Sequence, residues 1–198
     1  MAELALLLWL VYFAISLALR ALLQARRTGK TGVLLMRARP GSVQWWGETA
    51  ETAAIGLGVA AAALAEVVSP IDVLDSDAGH AVGLGLYGVG VLAVAASQEA
   101  MGASWRIGQD AAERTALVTR GPFGLVRNPI FSALVLVQTG LALLVPSVLA
   151  AAGLVLLVAS IEVQARLVEE PHLRRVHGEE YGRYAAKVGR FVPGVGQK

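Results

Sequence analysis

The positions of the basic residues constrain this chain more than any other feature. All 17 Lys and Arg residues fall in three segments, Arg20–Arg39, Arg106–Arg127 and Arg166–Lys198. Long apolar stretches separate these segments, and the turns at the opposite ends of the stretches carry no Lys or Arg. Cationic loops of membrane proteins stay on the cytoplasmic side because their translocation is costly. The pattern therefore predicts a polytopic membrane protein whose basic segments all face the cytosol.

The composition agrees with a membrane protein. Hydrophobic residues make up 56% of the chain and charged residues 16%, whereas soluble domains carry about 25% charged residues. The net charge is only +2, so topology accounts for the positive residues without a nucleic-acid partner. The chain has no cysteine, which excludes disulfides, thiolate metal sites and a cysteine nucleophile.

Five apolar stretches approach the length of about 20 residues that a helix needs to cross a bilayer. They are Leu4–Leu23, Thr49–Val68, Ala78–Ser97, Ile130–Val145 and Ser147–Val168. The fourth is short and is the weakest of the five. We expect an all-α bundle of about five transmembrane helices in the cell (plasma or inner) membrane. The N-terminus would lie outside and the C-terminus in the cytosol.

The chain divides into a three-helix transmembrane region, residues 1–100, and a C-terminal region, residues 101–198, with a helical hairpin and cytoplasmic segments. The third stretch contains Gly83, Gly85 and Gly88, formally a G-x-G-x-x-G pattern. A dinucleotide site would need a preceding strand and a βαβ unit, and neither is present. Small residues let membrane helices approach closely, so we interpret the glycines as a packing surface.

Acidic residues near the end of the last stretch are the first candidates for function. Glu162, Glu169 and Glu170 run against the helix dipole and the local charge bias, and ionisable groups at membrane depth usually mark function. With two helical turns between them, the three carboxylates are expected on one face. A solvated helix face is the alternative. His172 and His177 do not have the spacing of a zinc site, so no metal is expected.

Two motifs in the C-terminal half carry a family resemblance. Residues 117–131 read LVTRGPFGLVRNPIF, and an apolar hairpin, the pair Glu169–Glu170 and the segment HGEEYGRYAAKVGRFVP (177–193) follow. This order resembles the isoprenylcysteine carboxyl methyltransferase family and its phospholipid N-methyltransferase relatives, over about Gly102 to Pro193. The resemblance implies an integral membrane methyltransferase that binds S-adenosylmethionine in a cytoplasmic pocket. It also implies a lipid or small hydrophobic acceptor that enters from the bilayer.

The resemblance assigns the cofactor to residues of both motifs. They are Leu117 and Val118 through their backbone, Phe123 as the motif aromatic, Asn128, Pro129 and Phe131 at the adenosine end, and Glu169 and Glu170 at the ribose hydroxyls or amino group. The sequence departs from the family pattern where Asn128 replaces a histidine and where Phe123 and Phe131 replace tyrosines. The family's substrate-binding arginine would fall at Ala165, and Arg166 follows it.

Three further residues are candidates for the reaction itself. Arg127, beside the predicted helix start at Pro129, would orient an anionic acceptor, and Arg166 would contact the substrate. Glu99, at the end of the third stretch, is a weaker candidate for a base or an acceptor contact. A helix anchor and a snorkelling carboxylate are the alternatives for Arg127 and Glu99. An NADPH-dependent lipid or sterol reductase and a non-enzymatic membrane protein are the alternative functions.

Overall fold

The structure, a computed structural model, describes residues 1–33, 38–68, 70–106 and 116–197. Arg37, Arg114 and Lys198 of the basic segments lie outside the described residues. Along the described ranges the chain forms five long helices and no β-strand. They are α1 (Ala2–Thr28), α2 (Val43–Ala63), α3 (Asp77–Met101), α4 (Pro129–Leu144) and α5 (Val148–Lys187). The predicted all-α membrane bundle is confirmed.

Serine caps and a proline set where the helices begin. The Ser147 hydroxyl accepts from the Ala150 amide at the start of α5, and Pro129 occupies the first position of α4. Ser42 caps α2 in the same way. The α2 helix starts six residues before the predicted stretch, at this cap, and it ends at Ala63 rather than Val68. The start differs because hydropathy alone does not register a capping hydroxyl.

Three of the helices, α1, α3 and α5, are long and apolar enough to cross a membrane. The α4 helix has 16 residues, about 24 Å of helix, which is less than the hydrocarbon core of about 30 Å. The α2 helix carries Glu48 and Glu51 in its first half. Full crossing by α2 and α4 stays a prediction.

The loops lie at the two ends of the bundle. At one end the Ile71 amide donates to the Pro146 carbonyl over 2.7 Å, and a cavity of about 270 Å³ lies between Met1, Glu66 and Asp75. At the other end Arg27 pairs with Glu99. The three basic segments meet at this second end, as far as the structure describes them. Which side of the membrane this end faces stays a prediction.

The α3 and α4 helices touch through their backbones. A Cβ atom placed on Gly140 would lie 2.5 Å from the Gly83 carbonyl oxygen and 2.6 Å from the Tyr87 nitrogen. Gly85 and Gly88 face open space. The packing interpretation of the glycines therefore holds at Gly83 and fails at Gly85 and Gly88.

The two arms of the α4–α5 hairpin diverge from each other. The α4 helix packs mainly on α3, whereas α5 packs mainly on α2. At the α2–α5 contact a Cβ on Gly153 would lie 2.9 Å from the Ala54 carbonyl oxygen. Glycine thus sets the closest approach in both helix pairs, because only a residue without Cβ fits there.

We expect Gly140→Ala to lower the free energy of unfolding by about 1–3 kcal/mol, because the added methyl group must push α3 and α4 apart. Unfolding in mixed dodecyl maltoside and SDS measures this. The matched control is Gly85→Ala, whose new methyl group meets no atom within 4 Å. Equal stability of the two variants would contradict the close helix contact.

Candidate active site

The second half of α5 continues beyond the apolar part of the helix. A π-helical stretch, Gln164–Glu169, follows the α-helical residues Val148–Val163. The next 18 residues, Glu170–Lys187, are largely polar and kink at Gly178, where φ is 52°. A positive φ of this kind favours glycine. This part of α5 is therefore a polar extension of the apolar helix.

The extension brings the two sequence motifs together. Tyr181, Tyr184 and Ala185 are buried beyond the kink, and Leu117 of the first motif packs against them. The Tyr184 hydroxyl donates to the Phe123 carbonyl over 2.6 Å. Burial raises the pKa of the Tyr184 phenol, so it remains a hydrogen-bond donor at neutral pH. Residues far apart in sequence thus form one cluster beside α4.

The segment after α5 folds back onto the start of α4. The Arg127 amide donates to the Gly189 carbonyl over 2.8 Å, and the Asn128 amide donates to the Arg190 carbonyl over 3.0 Å. The Asn128 side chain donates to the same Arg190 carbonyl over 3.2 Å. Ser132 adds a bond to the Phe191 carbonyl. Asn128 therefore fixes the C-terminal tail against the helix start.

A buried ionic cluster lies under this tail. The Glu170 residue is only 2% exposed. Its Oε1 accepts from Arg190 Nε at 2.6 Å and from Arg127 Nη2 at 3.0 Å, and its Oε2 accepts from Arg190 Nη2 at 3.1 Å. Charge-assisted bonds of this kind are the strong ones, and the Arg190 fork is bidentate. One carboxylate thus joins α5, the start of α4 and the tail.

The guanidinium of Arg127 points into the protein. Its Nη1 donates to the Ala185 carbonyl at 3.0 Å and to the Val188 carbonyl, and its Nη2 donates to Glu170 and to the Gly196 carbonyl at 2.9 Å. Both terminal nitrogens therefore bind the C-terminal segment. This geometry shows a positioning contact, and the role of Arg127 toward an acceptor stays a prediction.

The predicted cofactor residues differ in their burial and in their contacts. Glu169 is half-buried next to Glu170 and interacts with other groups of the protein. Leu117 and Val118 have no regular secondary structure, and their backbone groups form no hydrogen bond with another described residue. Phe131, in the first turn of α4, packs against the bundle core. The contacts of these residues with a cofactor stay predictions.

A family model for phospholipid methyltransferases matches residues 78–180, just over half of the chain. The chain belongs to the phospholipid methyltransferase family. No curated protein matches it. The predicted family is confirmed, and the chain is a membrane methyltransferase by family. The matched region contains α3 from its second residue, α4 and Glu170, whereas the tail with Arg190 lies beyond it.

Two predicted residues of this methyltransferase lie apart from the ionic cluster. Glu99 is 60% exposed and pairs with Arg27 at 3.0 Å. Arg166 is exposed and pairs with Glu162, four residues earlier on α5. Among the described residues neither side chain has a hydrogen bond or ion pair with a member of the cluster. The roles of Glu99 and Arg166 stay predictions.

The expected shared face of Glu162, Glu169 and Glu170 stays a prediction. Glu162 pairs with Arg166 near the surface, whereas Glu170 is buried. The π-helical stretch between them has i→i+5 spacing, which changes the helical phase. Regular helical spacing therefore does not apply across it.

Arg190 and Tyr184 were missed as site residues by the sequence reasoning. Both lie in the quoted motif of residues 177–193, so their position in that motif was the available signal. The motif gives no sign of their partners, Glu170 and the Phe123 carbonyl.

Proposed function

We propose that this protein transfers a methyl group from S-adenosylmethionine to a lipid or lipid-like acceptor drawn from the bilayer. The observation that carries the proposal is the Glu170–Arg127–Arg190 cluster, which joins the two motif segments at the end of the bundle where the basic segments meet. A polar cofactor would approach this end from water, while α1, α3 and α5 border the lipid.

The residues present fit the proposed cofactor. Its sulfonium and ammonium charges favour carboxylates and aromatic faces, and the motif residues offer the half-buried carboxylate of Glu169 and the half-buried ring of Phe123. The backbone of Leu117 and Val118 offers donors and acceptors to an adenine ring. The oxygens of Glu170 are held by two arginines. On these contacts we propose a positioning role for Glu170. The proposed contact of Glu169 with the cofactor rests on its half-buried position beside Glu170, and Glu169 also interacts with other groups of the protein.

When bound, the cofactor would supply an electrophilic methyl group for an in-line displacement. The protein's part is to exclude water and align the acceptor. Phe123 and Phe131 provide apolar walls without hydroxyl groups. The Asn128 bonds to the tail hold the start of α4 in place, and Arg127 holds the tail itself.

The acceptor class follows from the membrane setting. An isoprenylcysteine-like carboxylate and a lipid amine headgroup both suit the proposal, and Ala165 in place of the family arginine disfavours the first. We further propose a cell-membrane location with the ionic cluster on the cytosolic side, because the basic segments gather at that end.

We expect Glu169→Gln to weaken S-adenosylmethionine binding by about tenfold or more, since a hydrogen bond to a charged group contributes about 1.5–3 kcal/mol. Isothermal titration of the purified protein in detergent measures this. The melting temperature without cofactor should change little, because Glu169 is only half-buried.

The matched control for that experiment is Glu180→Gln, an exposed carboxylate on the same helix. It should bind the cofactor like the wild type. If Glu169→Gln also binds like the wild type, Glu169 belongs to a solvated helix face. If the wild type binds NADPH but not S-adenosylmethionine, the methyl-transfer proposal fails.

A further inference from the structure

One carboxylate inside the bundle has no cation beside it. Glu51 lies on α2 and is partly buried, and its carboxylate accepts a hydrogen bond from the Gln164 side chain of α5. No Lys, Arg or His of the described residues forms an ion pair with Glu51. Glu48, one turn earlier, adds a second negative charge next to it. Because a charge away from water is costly unless it is paired, Glu51 lacks a positive partner.

The depth of Glu51 on α2 matches the level of the lipid headgroups. Trp46 is 59% exposed and precedes Glu51 by about 7.5 Å of helix, and tryptophan favours the membrane interface. On α5, Gln164 lies between Glu162 and Arg166, whose paired side chains are 36% and 52% exposed. Exposed charges on membrane helices lie at the interface or reach toward it. The polar end of a lipid would therefore be found at this level.

Glu51 belongs to the stripe of α2 that faces the interior of the bundle. The members of the stripe follow each other at spacings of three and four residues: Gly47, Glu51, Ala54, Gly58 and Ala61. Gly47, Ala54 and Ala61 are buried. A Cβ placed on Gly47 would lie 2.6 Å from the Gln164 side chain. Residues at these spacings share one helix face, so Glu51 is the one charged residue on the inner face of α2.

Two buried polar atoms along the same stripe have no hydrogen-bond partner among the described residues. Gln138 of α4 is 1% exposed. Its Nε2 donates to the Ala54 carbonyl, whereas its Oε1 has no partner. Trp9 of α1 is 2% exposed and has an unpartnered Nε1, and its ring would lie 2.9 Å from a Cβ on Gly58. Buried polar groups are nearly always bonded, so these two atoms indicate a ligand with polar groups of its own.

We propose that Glu51 binds the ammonium group of the lipid acceptor. This inference rests on the proposed function, and it selects a lipid amine because Glu51 and Glu48 would repel a carboxylate headgroup. An ammonium has three hydrogen-bond donors and no acceptor, so it supplies the missing positive partner. Deeper along the stripe, Gln138 Oε1 and Trp9 Nε1 would bind hydroxyl or ester groups that follow the amine in a lipid.

The position of Glu51 relative to the proposed cofactor contact agrees with this role. Gln164, which binds Glu51, is five residues before Glu169 on α5. That separation is less than two helical turns. Glu51 would thus be a substrate-binding residue that holds the amine on the membrane side of the cofactor.

The test compares three ligands that share one oleyl chain: oleylamine, oleyl alcohol and the anionic oleyl phosphate. Native mass spectrometry of the detergent-purified protein at pH 7 measures their affinities. We expect the wild type to bind oleylamine about tenfold or more tightly than the alcohol, as expected for a charge-assisted bond, and the phosphate most weakly. Glu51→Gln keeps an acceptor for Gln164 but loses the charge, so it should bind amine and alcohol equally. Glu66→Gln, an exposed carboxylate beyond the far end of α2, should keep the amine preference.

Cofactor titration of the same samples separates this inference from the proposed function. Glu51→Gln should bind S-adenosylmethionine like the wild type, which also shows that it folds. A wild type that prefers the amine through Glu51 but does not bind S-adenosylmethionine would contradict methyl transfer and leave the amine site. If the glutamine variant does not fold, Glu51→Asp decides, because it keeps the charge and should still prefer the amine. An unchanged preference in Glu51→Gln, or equal affinity for amine and alcohol in the wild type or in Glu51→Asp, would overturn the proposal.

Discussion

Replacing Glu170 by glutamine is expected to lower the free energy of unfolding of the cofactor-free protein by about 3–5 kcal/mol, the usual cost of leaving a buried charge without its partner. The variant keeps the size of the side chain but leaves Arg127 and Arg190 without a shared negative charge. Both arginines are buried, so water cannot replace the carboxylate without opening the tail. Unfolding in mixed dodecyl maltoside and SDS measures the loss.

Glu179→Gln is the matched control for Glu170→Gln. Glu179 lies on the same helix and pairs with Arg183 at 3.6 Å, but both side chains are exposed. Exposed pairs of this kind contribute about 0–1 kcal/mol, so the control should unfold like the wild type. A Glu170 variant that also unfolds like the wild type would show that the carboxylate does not hold the tail.

Replacing Arg127 by lysine is expected to release the C-terminal tail and to remove most methyl transfer. A lysine ammonium donates hydrogen bonds from one nitrogen only. Arg127 binds three backbone carbonyls and Glu170 through two separate nitrogens. Lysine does not reproduce the planar fork. Hydrogen exchange should therefore increase at the amides of Arg127 and Asn128, which donate to the tail. The cofactor dissociation constant should rise by about tenfold or more, since at least one buried charge-assisted contact is lost.

The three measurements on Arg127→Lys separate its possible roles. Slower turnover with unchanged exchange and unchanged cofactor affinity would place Arg127 at the acceptor, since an interaction made mainly in the transition state appears in kcat. Wild-type turnover, hydrogen exchange and cofactor affinity would indicate that Arg127 only anchors the helix. Arg183→Lys, exposed on α5, is the control and should match the wild type throughout.

Hydropathy predicted the five helices, and the charge pattern predicted that the basic segments share one end of the bundle. Each predicted apolar stretch contains most of one observed helix, and the loops that carry Lys or Arg gather at one end of the bundle. Hydropathy and charge act along the sequence, so local composition reports them directly. The two motifs likewise indicated the family, because its recurring residues occur in order along the chain.

Contacts between residues far apart in the chain could not be predicted from local composition. Glu169 and Glu170 are adjacent residues of the same type, and nothing in the sequence distinguishes one from the other. A helix turns by about 100° per residue, so adjacent side chains point to different surroundings. The π-helical stretch before them alters the phase further. Only the fold shows that Glu170 is the buried one.

The sequence by itself thus determined a helical membrane protein, its charged end and its family. The tertiary structure alone decided which carboxylate binds Arg127 and Arg190, and that Arg20 lies buried beside Trp105. The physical reason is that burial and ion pairing depend on groups brought together by the fold. Arg127 and Glu170 are 43 residues apart, and Arg20 and Gly102 are 82 residues apart.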